Sequence, residues 1–172
     1  ITLAMSLVVT TISWKFHLGW QTIAIWILIL LISDIVYLAS SKDRLVLTFW
    51  LTTMILGFVE LFADNWLVTG IQVLFYETVE PLIWSSPLYM PFLWGTMTLR
   101  TAFISWVVTK KYGLLLSTVM MAITGAFMGT FWESLALEAR WWYYVSDHMI
   151  FKAPIFIVVG EILFSMCIPY SF

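Results

Sequence analysis

Charge is scarce in this chain. Asp, Glu, Lys and Arg together make up 10% of its 172 residues, against about 25% in soluble domains, which excludes a water-solvated globule. The net charge of −2 offers no basic face and excludes nucleic acid as a partner. The single cysteine, Cys167, excludes an internal disulfide framework and a Cys-rich metal cluster, and its apolar neighbours mark it as an inert thiol. The two histidines, His17 and His148, fall in breaks between apolar runs and give no His-x3-His spacing, so no metal is expected. No histidine or lysine sits within an apolar run, which leaves haem, quinone and retinal without their usual anchors, and no cofactor is expected. There is also no Gly-rich phosphate loop, nucleophile elbow or Ser-His-Asp pattern.

Apolar residues dominate instead, at 62% of the chain with 18% aromatic and eleven Trp. Runs of about 20 such residues are membrane-span candidates. Six are present: Ile1 to Trp14, Trp20 to Ser40, Leu45 to about Val68, Phe92 to Thr109, Leu114 to about Leu137, and Pro154 to Tyr170. The first, which begins without a basic segment, reads as truncated. Unpaired backbone groups cannot be left in hydrocarbon, so the expectation is an all-α integral membrane bundle of about six transmembrane helices. Residues 1–172 form one polytopic domain.

Orientation follows the Lys and Arg of short loops. Lys42, Arg44, Lys110 and Lys111 lie in two compact breaks, opposed by Lys15, Arg140 and Lys152 in longer ones. The compact breaks read as cytoplasmic, with both termini inside, in a bacterial inner membrane. The long connections carry Trp84, Tyr89 and Trp141 to Tyr144 among prolines, as an interfacial aromatic belt would. Gly125 and Gly129 form a Gly-x-x-x-Gly in the fifth run, which predicts close helix packing.

The few charges are therefore informative, because a charged side chain at mid-bilayer costs roughly 2.5–3.5 kcal/mol. Helical rise places Glu60, Asp64, Glu133, Glu161 and Arg100 in the outer half, with Glu60 and Asp64 on one face by their i, i+4 spacing. Asp34 falls near the cytoplasmic end, where Lys42 or Arg44 is expected to answer it. On a structural reading Arg100 pairs with Glu60 or Glu161 and fixes helix register, while Asp64 and Glu133 sit in wet headgroups. One arginine cannot neutralise all four carboxylates. A neutral acid beside an ionised carboxylate is then expected, the arrangement that does general acid and base work. Glu60 and Asp64 are the expected acid/base pair, supported by Glu133 and Glu161, with Arg100 setting the charge. Trp66, Trp94 and Trp132 lie near these groups in sequence, and their ring faces suit a cationic intermediate.

Three stretches carry a resemblance: Phe58 to Trp66 (FVELFADNW), Ser86 to Trp94 (SPLYMPFLW) and Glu133 to Tyr144 (ESLALEARWWYY). Over about half the chain they resemble an uncharacterised family of small polytopic bacterial membrane proteins. The order of features is also similar to that of membrane carotenoid hydratases and lycopene cyclases. That likeness implies a pocket at Glu60, Asp64, Tyr89, Trp94, Glu133 and Glu161, acting on an isoprenoid or other lipid. Two further readings stand beside this enzyme: a non-catalytic transmembrane subunit with membrane protein partners, and a proton or solute carrier.

Overall fold

Each of the six apolar runs is a helix. In the computed structural model these are α1 (Thr2–Phe16), α2 (Trp20–Ser41), α3 (Arg44–Asn65), α4 (Met90–Tyr112), α5 (Leu114–Ala139) and α6 (Ile155–Cys167). The structure describes residues 2–77 and 81–171. Ile1, where the first run begins, lies outside the described residues, as do residues 78–80 of the first long connection and Phe172. Among the described residues three stretches are long and apolar enough to cross a membrane: Trp20–Ser41, Arg44–Gly70 and Leu114–Ala139. Helices α1 and α6 are shorter, at 15 and 13 residues. Helix α4 has the length but is broken by Arg100, four threonines and a terminal Lys110-Lys111.

Local chemistry sets the helix ends. Lys42 leaves α2 through a left-handed turn, φ 53°, and Asp43 then caps α3 by accepting from the Leu45 and Val46 N–H groups. Such a cap satisfies donors that the first turn cannot pair internally. At the far end α3 widens into one π-helical turn, Trp66–Gly70, a deviation that re-aims the chain and concentrates near functional sites.

Both long connections contain short antiparallel ribbons that the belt reading of these loops did not anticipate. Strand β1 (Leu74–Tyr76) pairs with β4 (Trp142–Tyr144), β2 (Leu82–Ile83) with β3 (Ser86–Pro87), and β5 (Met149–Ile150) with β6 (Ala153–Pro154). The first ribbon joins the exit of α3 to the exit of α5. The α1–α2 turn is tied to the same end, since the His17 ring donates to the Glu138 carbonyl at 2.5 Å and the Gly19 N–H to that of Ala139 at 3.0 Å. Beneath these ties lies the core, with Ile27, Leu30, Leu74 and Trp141 each no more than 2% exposed. The outward faces stay apolar: Leu115, Ile123, Phe127 and Ile55 are all more than 60% exposed.

Glycine sets two close helix crossings. A side chain on Gly57 would run into the Pro91 carbonyl and the Gly95 backbone of α4. At Gly125 a Cβ would meet the Glu161 carbonyl at 2.5 Å, and at Gly129 the Glu161 Cγ at 3.0 Å. The Gly-x-x-x-Gly thus seats α6 on α5, as small residues at a crossing allow. Gly160 has nothing within 4 Å of where its Cβ would stand. Thermal unfolding of the two alanine variants should therefore separate. Gly57→Ala is expected to cost about 1–3 kcal/mol by forcing backbones apart, whereas Gly160→Ala should be neutral or gain up to about 1 kcal/mol of helix propensity. Equal effects would rule out the α3–α4 crossing as described.

Candidate functional site

The buried charges divide into two groups. Arg100 of α4 donates through Nη2 to Asp34 Oδ1 of α2 at 3.1 Å and through Nη1 to the Thr96 carbonyl at 2.6 Å. This corrects two expected pairings. Asp34 is answered by Arg100 and not by Lys42 or Arg44, which begin about 12 Å further along the helix axis. Arg100, engaged by Asp34, forms no ion pair with Glu60 or Glu161 among the described residues. Asp34 lies about 21 Å below the start of α2 and Arg100 about 15 Å below that of α4, so the pair sits at mid-bundle. The expected convergence of all five groups in one half thus becomes a cluster of four carboxylates alone.

That cluster lies under the β1–β4 ribbon. Asp64 ends α3, Glu133 stands about 9 Å before the end of α5, and Glu161 about 9 Å into α6. Alternation along a strand sends successive side chains to opposite faces. In register Leu74 faces Tyr144, Phe75 faces Tyr143, and Tyr76 faces Trp142. Phe75 and Tyr143 stack outside, with centroids 5.3 Å apart. The other two pairs turn inward, and their polar tips meet the carboxylates.

The Tyr76 hydroxyl donates to Asp64 Oδ2 at 2.6 Å, and Trp142 Nε1 donates to Glu133 Oε2 at 2.6 Å. Asp64 and Glu133 are 4% and 7% exposed. Fully buried Ser86 lies beside Asp64 with no hydrogen-bond partner among the described residues, and Tyr144 turns its hydroxyl toward Glu133. Burial, then the nearby carboxylates, push the Tyr76 and Tyr144 phenols well above their ordinary range, which keeps both as O–H donors. All four carboxylates act on Tyr144, with Glu133 the strongest and Glu60 the weakest. Glu161 differs from Asp64 and Glu133: among the described residues nothing donates to it.

These groups open onto one cavity of about 330 Å³, within the roughly 300–1,000 Å³ range of small-molecule sites. Asp64, Glu133 and Glu161 gather on its wall with Tyr76 and Tyr144, and Arg100, Thr98, Thr101, Thr124 and Ser165 add further polar groups. Trp94, Trp132, Trp141, Trp142 and Phe164 supply aromatic wall, and Met97, Met121 and Met128 supply flexible apolar wall. Ile104, 40% exposed, also borders the space, so it communicates with the outside of the bundle. Among the described residues no group of three His, Cys, Asp or Glu side chains has metal-binding geometry.

The residues singled out from sequence scatter unevenly around this space. Asp64, Glu133, Glu161, Arg100, Trp94 and Trp132 border it. Glu60 is half-buried one turn before Asp64 and is not part of the wall. Trp66 is 56% exposed and covers Gly70. Tyr89 is buried, stacks on Trp20 at 6.5 Å, and walls a separate apolar groove beside α2. Sequence reasoning missed Tyr76 and assigned Trp142 and Tyr144 only to the belt. The signal for them was a pair of aromatic triplets with strand character, Leu74 to Tyr76 and Trp142 to Tyr144.

The chain belongs to the DUF6989 family, described as a domain of unknown function, whose model matches residues 61–172. The match takes in Asp64, Tyr76, Glu133, Trp142, Tyr144 and Glu161, and begins just after Glu60. No curated protein and no solved structure matches the chain. Membership of the family assigns no activity.

Proposed function

We propose that this chain is a six-span integral membrane enzyme of a bacterial inner membrane, both termini cytoplasmic, that performs acid/base chemistry on an isoprenoid or other hydrophobic lipid. The observation that carries the reading is a largely apolar cavity with three carboxylates gathered at one end. The exposed apolar outer faces of the helices suit lipid contact, and the border at Ile104 supplies a route from that lipid.

The carboxylates have different partners, and a general acid and a general base need different surroundings. Asp64 and Glu133 are held as hydrogen-bond acceptors by Tyr76 and Trp142, the posture of a base. Glu161, without a donor, takes the part of the acid. In an isomerisation, Glu161 gives its proton to an alkene carbon and a new C–H bond forms. The cation left on the neighbouring carbon faces the Trp rings, which attract positive charge. Glu133 or Asp64 removes a proton from the adjacent carbon, and that C–H electron pair becomes the shifted double bond. Tyr144, amid the carboxylates, is placed to return the proton to Glu161. Cyclisation uses the same first step, with a second alkene as the nucleophile.

Proton exchange with carbon tests this without knowledge of the substrate. The purified chain in detergent, given a bacterial lipid extract in D2O, should move deuterium onto carbon of one lipid class, read by mass spectrometry. Glu161→Gln should abolish that transfer. Deuterium uptake that is absent with the wild type, or unaltered by Glu161→Gln, would remove the acid/base reading.

A further inference from the structure

Three of the cavity's polar groups are anionic when ionised, and among the described residues no cation pairs with them. Arg100, among the described residues the one basic side chain on the wall, is held by Asp34 at mid-bundle. Around the carboxylates run aromatic rings in contact with one another: Trp132 and Trp141 have centroids 6.4 Å apart, and Trp141 and Trp142 5.9 Å apart. Trp141 is wholly buried, and its indole N–H, like that of Trp132, has no partner among the described residues. Indole offers a donor at one edge and an electron-rich face. A carboxylate beside such faces is the combination that holds an organic cation.

We propose that the cavity binds a hydrophobic cation, an amine or quaternary ammonium carrying an aliphatic chain. Its positive centre sits among Asp64, Glu133 and Glu161 against the rings of Trp141 and Trp142. The chain runs along Met97, Met121 and Met128. A space of about 330 Å³ is at the lower end of small-molecule sites, which suits one medium-length chain. The inference rests on reading this cavity as the substrate site. An ammonium there would occupy the place of the cation formed when Glu161 protonates an alkene.

The test is isothermal titration of the purified chain in maltoside micelles with octyltrimethylammonium and, separately, octanol. Thr124→Phe, which fills the cavity from α5, corrects for partition into the micelle. The wild type should bind the ammonium at least about tenfold more tightly than the alcohol, as a desolvated cation–π contact allows. Glu161→Gln and Trp141→Leu should each reduce that preference several-fold, and Trp141→Phe should keep most of it. If Trp141→Leu does not fold, Glu161→Gln alone decides. Equal binding of both probes, lost in Thr124→Phe, overturns the cationic class while leaving a hydrophobic substrate site intact. Binding that Thr124→Phe does not alter for either probe overturns both the cation proposal and the substrate cavity.

Discussion

Glu133→Gln is expected to slow deuterium transfer into the lipid pool by about 10²–10⁴-fold, the usual worth of a positioned general base, while leaving the fold standing. The amide oxygen of glutamine can still accept from Trp142 Nε1, now 2.6 Å from Glu133 Oε2, so the buried indole keeps its partner. What glutamine cannot do is take a proton from carbon. Glu133→Leu makes the complementary case: it leaves the Trp142 N–H buried and unpaired, at a cost of about 1–3 kcal/mol. The two variants should therefore be alike in rate and different in thermal unfolding. A Glu133→Gln chain that transfers deuterium at the wild-type rate would exclude Glu133 as the base and leave the role to Asp64. The same experiment on Trp142→Phe asks whether the donor matters for chemistry. It should cost less rate than Glu133→Gln, because the carboxylate remains with Tyr144 beside it.

What could be read from sequence was what is decided locally. Helix positions follow from apolar runs and the short polar breaks between them, and the six helices begin and end within about three residues of the expected runs. Asp64, Glu133 and Glu161 drew notice for a similar reason, since a carboxylate in an apolar run needs a cause. The ribbon that completes the site is different in kind. Strand β1 is three residues long and pairs with a partner nearly seventy residues away in sequence. No periodicity can develop over three residues, and the loop that closes the pair is set by helix packing. Tyr76, Trp142 and Tyr144 also have the composition of an interfacial belt, so the residues alone could not separate a ring facing lipid from one facing Glu133. The Asp34 pairing failed on the same ground: Lys42 and Arg44 are near in sequence, but contact between α2 and α4 selects Arg100.

That ion pair makes the other large effect. Arg100→Met is expected to destabilise the chain by about 3–5 kcal/mol, the measured range for removing one partner of a buried pair. The side chains are only 11% and 15% exposed, and Asp34 Oδ2 already lacks a partner among the described residues. Without Arg100 the whole carboxylate would face apolar neighbours uncompensated. Asp34→Leu should cost a comparable amount by stranding the guanidinium, whose Nε has no acceptor among the described residues even now. The double variant, Asp34→Leu with Arg100→Met, should recover to within about 1–2 kcal/mol of the wild type, because an apolar pair of similar volume avoids the desolvation that the ions incur. Equilibrium unfolding of the four chains in mixed micelles gives the coupling energy directly. Single losses below about 1 kcal/mol would mean that water reaches the pair, since exposed pairs contribute no more than that. The rate of deuterium transfer in the double variant then separates stability from positioning. Arg100 borders the cavity, so a stable double variant with a normal rate confines the pair to holding α2 against α4. A stable one with a slowed rate means that the guanidinium shapes the wall against which substrate packs.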